Sequence, residues 1–179
     1  MKAEHSRERK KSVKTFVRLL DVLLLVAILA GLYVSSSQPY YKQDMRGTIS
    51  RFIDEQAVGE RLKDVSFRYG KQEISVEASG IDGFIEFFLR KGTHFATFAL
   101  LALTGYRVLR RFAPFAVALP WSAFLTLAVA VLDEWHQTFT PDRTGQVADV
   151  VLDASGACTM LLLIVLARAW PGQKRRDKR

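Results

Sequence analysis

The chain has 179 residues, 49% of them hydrophobic, and a mean hydropathy of +0.07. The hydrophobic residues are concentrated in blocks about 20 residues long, the length at which a helix crosses roughly 30 Å of hydrocarbon. The net charge of +8 lies in Lys and Arg clusters that directly flank these blocks, which argues against nucleic-acid binding and for a membrane surface. A single cysteine, Cys158, excludes an intramolecular disulfide.

The first predicted span covers residues 16–35 and follows a basic tail, residues 1–15. A cleaved signal peptide ending near Ser35 is the alternative, because it also combines a basic start with an apolar run. The long apolar run and the long basic lead favour a retained membrane anchor.

An outer segment, residues 36–82, is predicted to lie between the first two spans. Apolar residues at helical spacing between Asp44 and Leu62 predict a small helix. Further along, apolar and polar residues alternate on both sides of a Gly70-Lys71 turn, which is typical of a β-hairpin. The alternating residues are Val65, Phe67 and Tyr69 before the turn and Ile74, Val76 and Ala78 after it. We expect the hairpin to pack on the outer end of the helices, because an isolated hairpin is marginally stable in water.

Three more spans are predicted, at residues 83–107, 114–134 and 147–169, and a second basic tail covers residues 170–179. Lys and Arg mark the cytoplasmic ends of spans, which places both tails inside the cell. The sequence therefore predicts an all-α, multi-pass cell-membrane protein with four transmembrane helices and cytoplasmic N- and C-termini. The small helix and β-hairpin between helices 1 and 2 are then extracytoplasmic.

Ionisable side chains are costly inside a membrane, yet they recur near the predicted outer ends of three spans. Convergence from separate helices predicts one mixed-charge ligand site that opens outward. Its candidate ligand-binding residues are Lys91, His94, Asp133, Glu134, His136, Gln137, Arg143, Asp149 and Asp153. No spacing specific to a metal site and no cofactor motif is present, so neither a metal nor a cofactor is predicted.

Two other interpretations of these residues remain open. Some of them could be structural ion pairs, with Asp149 joined to Arg143, Asp153 to Lys91, and Glu86 to Arg90 four residues along one helix. Alternatively, the site is catalytic, with one histidine as the general base and one aspartate fixing its tautomer. The catalytic candidates are His94, His136, Asp149 and Asp153.

Four separated blocks resemble the VanZ-like family. They are Ser36-Ser37-Gln38-Pro39, Arg90-Lys91-Gly92-Thr93-His94-Phe95, Asp133-Glu134-Trp135-His136-Gln137-Thr138-Phe139 with Pro141-Asp142-Arg143, and Asp149-Val150-Val151-Leu152-Asp153-Ala154-Ser155-Gly156. The resemblance extends from about Ser36 to Leu166. Relatives often carry Gly in place of Asp142 and Asn in place of Asp153, which puts in doubt a role that needs a charge at Asp153.

The resemblance implies a bacterial cell-envelope protein, since the founding member is an accessory factor that raises resistance to the glycopeptide teicoplanin. It does not imply a reaction. The leading hypothesis is that Lys91 and Arg143 bind the phosphate or carboxylate of a cell-surface ligand, such as a membrane lipid or a lipid-linked cell-wall precursor. The alternatives are a membrane hydrolase or transferase acting on a lipid-linked substrate with a His/Asp site, and a structural subunit of a membrane complex. The sequence leaves the oligomeric state open.

Overall fold

The computed structural model describes residues 2–53 and 55–170. Four long helices dominate this part of the chain: α1 (Lys2–Ser36), α4 (Val76–Leu109), α5 (Phe115–Gln137) and α6 (Val147–Ala169). Between α1 and α4 lie a 3₁₀ turn (Tyr40–Lys42), α2 (Arg46–Ile49), α3 (Glu55–Leu62), β1 (Ser66–Tyr69) and β2 (Gln72–Ser75). The predicted C-terminal basic tail lies outside the described residues, apart from Trp170.

Within the described residues, three helices are long and apolar enough to cross a membrane: Ser12–Ser36 of α1, α5 and α6. The expectation of a mostly helical protein with several helices long and apolar enough to cross a membrane is therefore confirmed. The helix bounds differ in detail from the predicted spans, because α1 extends back to Lys2 and α5 continues to Gln137. The bounds of α6 coincide with the predicted span.

Helix α4 is the centre of the bundle and packs against each of the other three long helices. Its Phe98 and Ala102 are completely buried, and the Ser122 hydroxyl of α5 donates a hydrogen bond to the Ala102 carbonyl over 2.8 Å. Small residues let α4 and α6 approach closely, which is how helices commonly associate in a membrane. At the tightest point, a Cβ on Gly156 would overlap the carbonyl oxygen of Phe95.

The predicted hairpin is present as the antiparallel pair β1–β2, with Phe67 opposite Ile74. Gly70 begins its two-residue turn with φ of 59°, a left-handed conformation that glycine adopts without a steric penalty. Ile74 is buried against Phe84 and Phe87 of α4, so the hairpin packs on the helix that follows it.

The second strand is shorter than predicted, since Val76 and Ala78 belong to the first turn of α4. That turn is capped by Ser75, whose hydroxyl accepts a hydrogen bond from the Ala78 amide over 3.1 Å. Helix α4 then breaks at Gly80, where φ is 73°. The outer segment consequently joins the long helix without an intervening loop, which fixes the hairpin relative to the bundle.

Candidate functional site

A polar pocket of about 270 Å³ lies where one end of the bundle meets the outer segment. Residues near the middle of α4, the last turn of α5 and the first turn of α6 line it, together with the α5–α6 loop and the outer segment. The lining residues are Tyr40, Arg46, Gln72, Arg90, Lys91, His94, Glu134, Gln137, Asp142, Arg143, Thr144, Gln146 and Asp149.

Six of the nine candidate ligand-binding residues line this pocket: Lys91, His94, Glu134, Gln137, Arg143 and Asp149. Asp133 and Asp153 are buried beside it. His136 lies outside the pocket, where its ring stacks on Tyr33 of α1 at a centroid distance of 5.0 Å. The structure thus brings most of the predicted residues together and separates the two candidate histidines.

The end of α5 is held by hydrogen bonds to its acids. Gln137 Nε2 donates to Asp133 Oδ2 over 3.0 Å and to Glu134 Oε1 over 3.3 Å, and the Ser36 hydroxyl donates to Asp133 Oδ1. The other Glu134 oxygen accepts the backbone N–H of Gln146 over 2.9 Å, which anchors the loop before α6. These two carboxylates therefore position the walls of the pocket.

Lys91 and Asp149 form an ion pair across α4 and α6. Asp149, which the spacing also allowed to pair with Arg143, accepts a second hydrogen bond from the Tyr69 hydroxyl over 2.6 Å. Burial and this carboxylate raise the pKa of Tyr69, so the phenol stays a proton donor at neutral pH. The hairpin is in this way connected directly to the candidate site.

Glu86 pairs with Arg46 of the outer segment, not with Arg90 as its helical spacing suggested. Arg46 Nε lies 3.2 Å from Glu86 Oε2, and the Tyr40 hydroxyl donates to the same oxygen over 2.7 Å. Burial, followed by the bond to Glu86, raises the pKa of Tyr40. Because Glu86 already pairs with Arg46, it does not pair with Arg90. The Arg90 guanidinium instead lies above the Tyr40 ring, 5.1 Å from the ring centroid. Its buried Nε has no hydrogen-bond partner among the described residues.

Arg143 enters the pocket from the loop between α5 and α6. Its Nη1 donates to Gln137 Oε1 over 3.2 Å, and its Nη2 donates to Gln43. Burial lowers the pKa of the Arg143 guanidinium, and the positive charge of Arg90 lowers it further. The neighbouring Asp142 has φ of 60°, a left-handed conformation that favours glycine. Arg90 and Arg143 thus face one pocket as two neighbouring positive charges.

His94 of α4, which lines the pocket, faces the buried Asp153 of α6. Their Nδ1 and Oδ1 atoms are 3.6 Å apart, and the Asp153 side chain is 0% exposed. Asp153 therefore pairs with His94 and not with Lys91. In the part of the chain that the structure describes, no group of three or more His, Cys, Asp or Glu residues is arranged to hold a metal ion.

The order and spacing of the pocket residues can be compared with known families. The family model described as VanZ/LLP1 matches residues 21–168, a range that contains every residue lining the pocket. The chain belongs to the VanZ/LLP1 family. This bears out the resemblance carried by the four sequence blocks. No curated protein and no solved structure matches this VanZ/LLP1 chain.

Several pocket residues of this VanZ/LLP1 protein were not predicted from the sequence. Tyr40, Arg46 and Gln72 come from the outer segment, which no helical periodicity connects to α4–α6. Arg90 was recognised but assigned to an ion pair along its own helix. The one available signal was the Ser36–Pro39 block, because Ser36 binds Asp133 and the chain turns there towards Tyr40.

Proposed function

We propose that this VanZ/LLP1 protein crosses the cytoplasmic membrane four times, with α4 as the span that the three more apolar helices surround. Two basic clusters support this arrangement, because they meet at the end of the bundle opposite the pocket. Arg111 Nη1 donates to the Arg18 carbonyl over 2.8 Å, and Arg107 lies one turn away on α4. Basic residues mark the cytoplasmic side, so the pocket opens towards the outside.

Cysteine labelling tests this orientation. In a Cys158→Ser background, a cysteine introduced by Lys71→Cys at the hairpin turn should react with a membrane-impermeant maleimide in intact spheroplasts. A cysteine introduced by Phe112→Cys, at a loop position that is 85% exposed, should react only after the membrane is permeabilised. The reverse pattern, or equal labelling of both variants before permeabilisation, would contradict the proposed topology.

We infer that the pocket binds the anionic headgroup of an envelope lipid or lipid-linked precursor. The observation that carries this inference is the pair Arg90 and Arg143. Two guanidinium groups face the same pocket, and neither forms an ion pair with a described residue. Like charges held close together repel one another, so a bound anion would reduce the electrostatic repulsion between these two guanidinium groups.

Two of the three acids that line the pocket support the same inference because their partners are already assigned; the third, Asp142, precedes Arg143 in the chain and forms no ion pair among the described residues. Asp149 is bound to Lys91 and Tyr69, and Glu134 is bound to Gln137 and the Gln146 amide. Arginine matches the planar, bidentate geometry of phosphate and carboxylate. This assignment replaces Lys91 by Arg90 as the expected ligand contact and retains Arg143.

Binding of a lipid phosphate should depend on both arginines. The probe is phosphatidic acid, titrated into detergent-purified protein and followed by native mass spectrometry, with phosphatidylcholine for comparison. The double variant Arg90→Gln, Arg143→Gln should bind phosphatidic acid at least about 150-fold more weakly, since each charge-assisted bond contributes about 1.5–3 kcal/mol. The Arg68→Gln variant, which removes an exposed arginine on β1, should bind like the unaltered protein. Equal affinity in the double variant and in the Arg68 control would refute the assignment.

The family resemblance adds an expectation in cells. If the pocket acts in teicoplanin resistance, bacteria that express the double variant should be as susceptible to teicoplanin as bacteria that lack the protein. The minimal inhibitory concentration measures this directly, with the Arg68→Gln variant again as the control. If the Arg90→Gln, Arg143→Gln double variant still protects cells, teicoplanin resistance does not depend on this pocket.

A further inference from the structure

His94 and Asp153 form a buried pair that headgroup binding alone does not explain. Asp153 is completely buried, and neither of its oxygens has a hydrogen-bond partner among the described residues. The Nδ1 atom of His94 is likewise buried without a partner. An isolated carboxylate in such surroundings is strongly disfavoured, and a neutral imidazole 3.6 Å away can stabilise it by directing its Nδ1–H at the carboxylate while Nε2 stays free to accept a proton.

The packing of α4 against α6 holds this pair in place. Gly156 lies one turn after Asp153, and Phe95 follows His94 in the chain. A Cβ at Gly156 would overlap the Phe95 carbonyl, so the backbones of the two helices are in direct contact beside the pair. Asp153 is six residues into α6, about 9 Å along the helix axis, which keeps it near the pocket end of the bundle.

The two ring nitrogens of His94 have different surroundings: Nδ1 is near the aspartate, and Nε2 belongs to the accessible part of the ring. His94 lines the pocket, and its side chain is 23% exposed. Its Nε2 atom has no hydrogen bond within the described residues and is not among the buried atoms that lack one, so this nitrogen is accessible on a residue that lines the pocket. A carboxylate behind one nitrogen and open space before the other is the arrangement of a histidine general base.

We propose that His94 is the general base of a phosphomonoester hydrolase site in which Arg90 and Arg143 hold the phosphate and Asp153 positions the imidazole. This proposal rests on the anion site proposed above. Two guanidinium charges can neutralise the two negative charges of a phosphomonoester. Positioning and charge neutralisation also provide most of the catalysis in phosphoryl transfer.

The reaction is a hydrolysis without a change in oxidation state. A water molecule gives a proton to Nε2 of His94 while its oxygen forms a bond to phosphorus. The bond between phosphorus and the ester oxygen breaks, and the released alkoxide takes a proton from water. The products are inorganic phosphate and an alcohol, and His94 then returns its proton to solvent.

The test measures release of inorganic phosphate by the full-length protein in detergent, from phosphatidic acid and from p-nitrophenyl phosphate. Release from phosphatidic acid alone identifies a lipid substrate, and release from both identifies the phosphomonoester itself as the recognised group. His94→Gln should lower kcat at least about 100-fold and leave KM within about threefold, because the arginines bind the substrate. His136→Gln, at the histidine that stacks on Tyr33, should leave kcat within about twofold.

Asp153 requires a readout that distinguishes positioning from folding. Asn retains an oxygen acceptor for the imidazole, so Asp153→Asn should lower kcat by less than Asp153→Leu does and leave KM unchanged. Asp153→Leu removes the acceptor and should lower kcat as far as His94→Gln does. A parallel loss of kcat in His136→Gln and His94→Gln would overturn the assignment of the base.

The two proposals fail separately. If phosphatidic acid binds through Arg90 and Arg143 but neither substrate releases phosphate, the hydrolase inference is wrong and the anion site stands. If phosphatidic acid does not bind and no phosphate is released, both are wrong. Release that survives His94→Gln would exclude His94 as the base while leaving a phosphate-binding pocket.

Discussion

A Gly156→Ala substitution should destabilise the helix bundle by about 2 kcal/mol, a typical cost of forcing an extra methyl group into a tightly packed interface. The new Cβ would lie only 3.2 Å from Phe95 Cα and closer still to the carbonyl of the same residue. These are backbone atoms within a helix, so they cannot rotate away as a flexible side chain would. Gly156→Leu should prevent α4 and α6 from packing and leave little folded protein.

The matched control is Gly31→Ala in α1, where nothing lies within 4 Å of the added Cβ. This variant should be at least as stable as the unaltered protein, because alanine restricts the unfolded chain more than glycine does. Resistance to thermal unfolding in detergent, followed by circular dichroism, measures both variants. If Gly156→Ala and Gly31→Ala unfold at the same temperature, the close contact between α4 and α6 does not exist in the protein.

The sequence predicted the bundle well where one physical requirement dominates. An apolar run between polar flanks has few alternatives to a membrane-length helix, and α6 occupies residues 147–169 in both the prediction and the structure. The hairpin was also predictable, because a Gly70 turn between alternating residues combines two independent signals. The end of its second strand was not, since Val76 and Ala78 follow the capping Ser75 into α4.

The partners of the charged residues were much less predictable. Spacing along a helix identifies neighbours on that helix, and it therefore suggested Glu86 with Arg90. The structure instead joins Glu86 to Arg46, a residue 40 positions earlier in the chain. Such a contact depends on how the outer segment folds back over α4, which no local pattern encodes. Because of that fold, Arg90, which is central to the proposed site, has no ion-pair partner among the described residues.

The sequence could not distinguish His94 from His136 as the site histidine for the same reason. Asp133, His136 and Gln137 share one side of α5 by spacing, which made His136 as good a candidate as His94. In the structure Asp133 and Gln137 are buried, whereas His136 lies towards α1 and stacks on Tyr33. Helical periodicity gives relative positions on one helix, and only the packing of neighbouring helices determines which side meets the pocket.

Replacing Asp21 should weaken the attachment of α1 to the rest of the protein. The Asp21 side chain is buried at the end of the bundle opposite the pocket and accepts a hydrogen bond from Arg107 Nε over 2.8 Å and another from Arg111. Asp21→Ala would leave both guanidiniums without their carboxylate. Breaking a fully buried ion pair costs about 3–5 kcal/mol. Because the Arg107 side chain is 46% exposed and can reach water or lipid headgroups, we expect a loss near 2 kcal/mol.

The control is Asp64→Ala at an exposed position of the outer segment, which should change stability by less than about 0.5 kcal/mol. Exchanging the charges in an Asp21→Arg, Arg111→Asp double variant should recover part of the stability that Asp21→Arg alone removes. Thermal unfolding in detergent separates these cases. An Asp21→Ala protein as stable as the Asp64 control would contradict the proposal that Asp21 attaches α1 to the bundle.

The expected loss of stability also tests whether residues 16–35 are a cleaved signal peptide. A leader removed at maturation could not stabilise the mature bundle, so destabilisation of protein purified from membranes by Asp21→Ala would identify α1 as a permanent span.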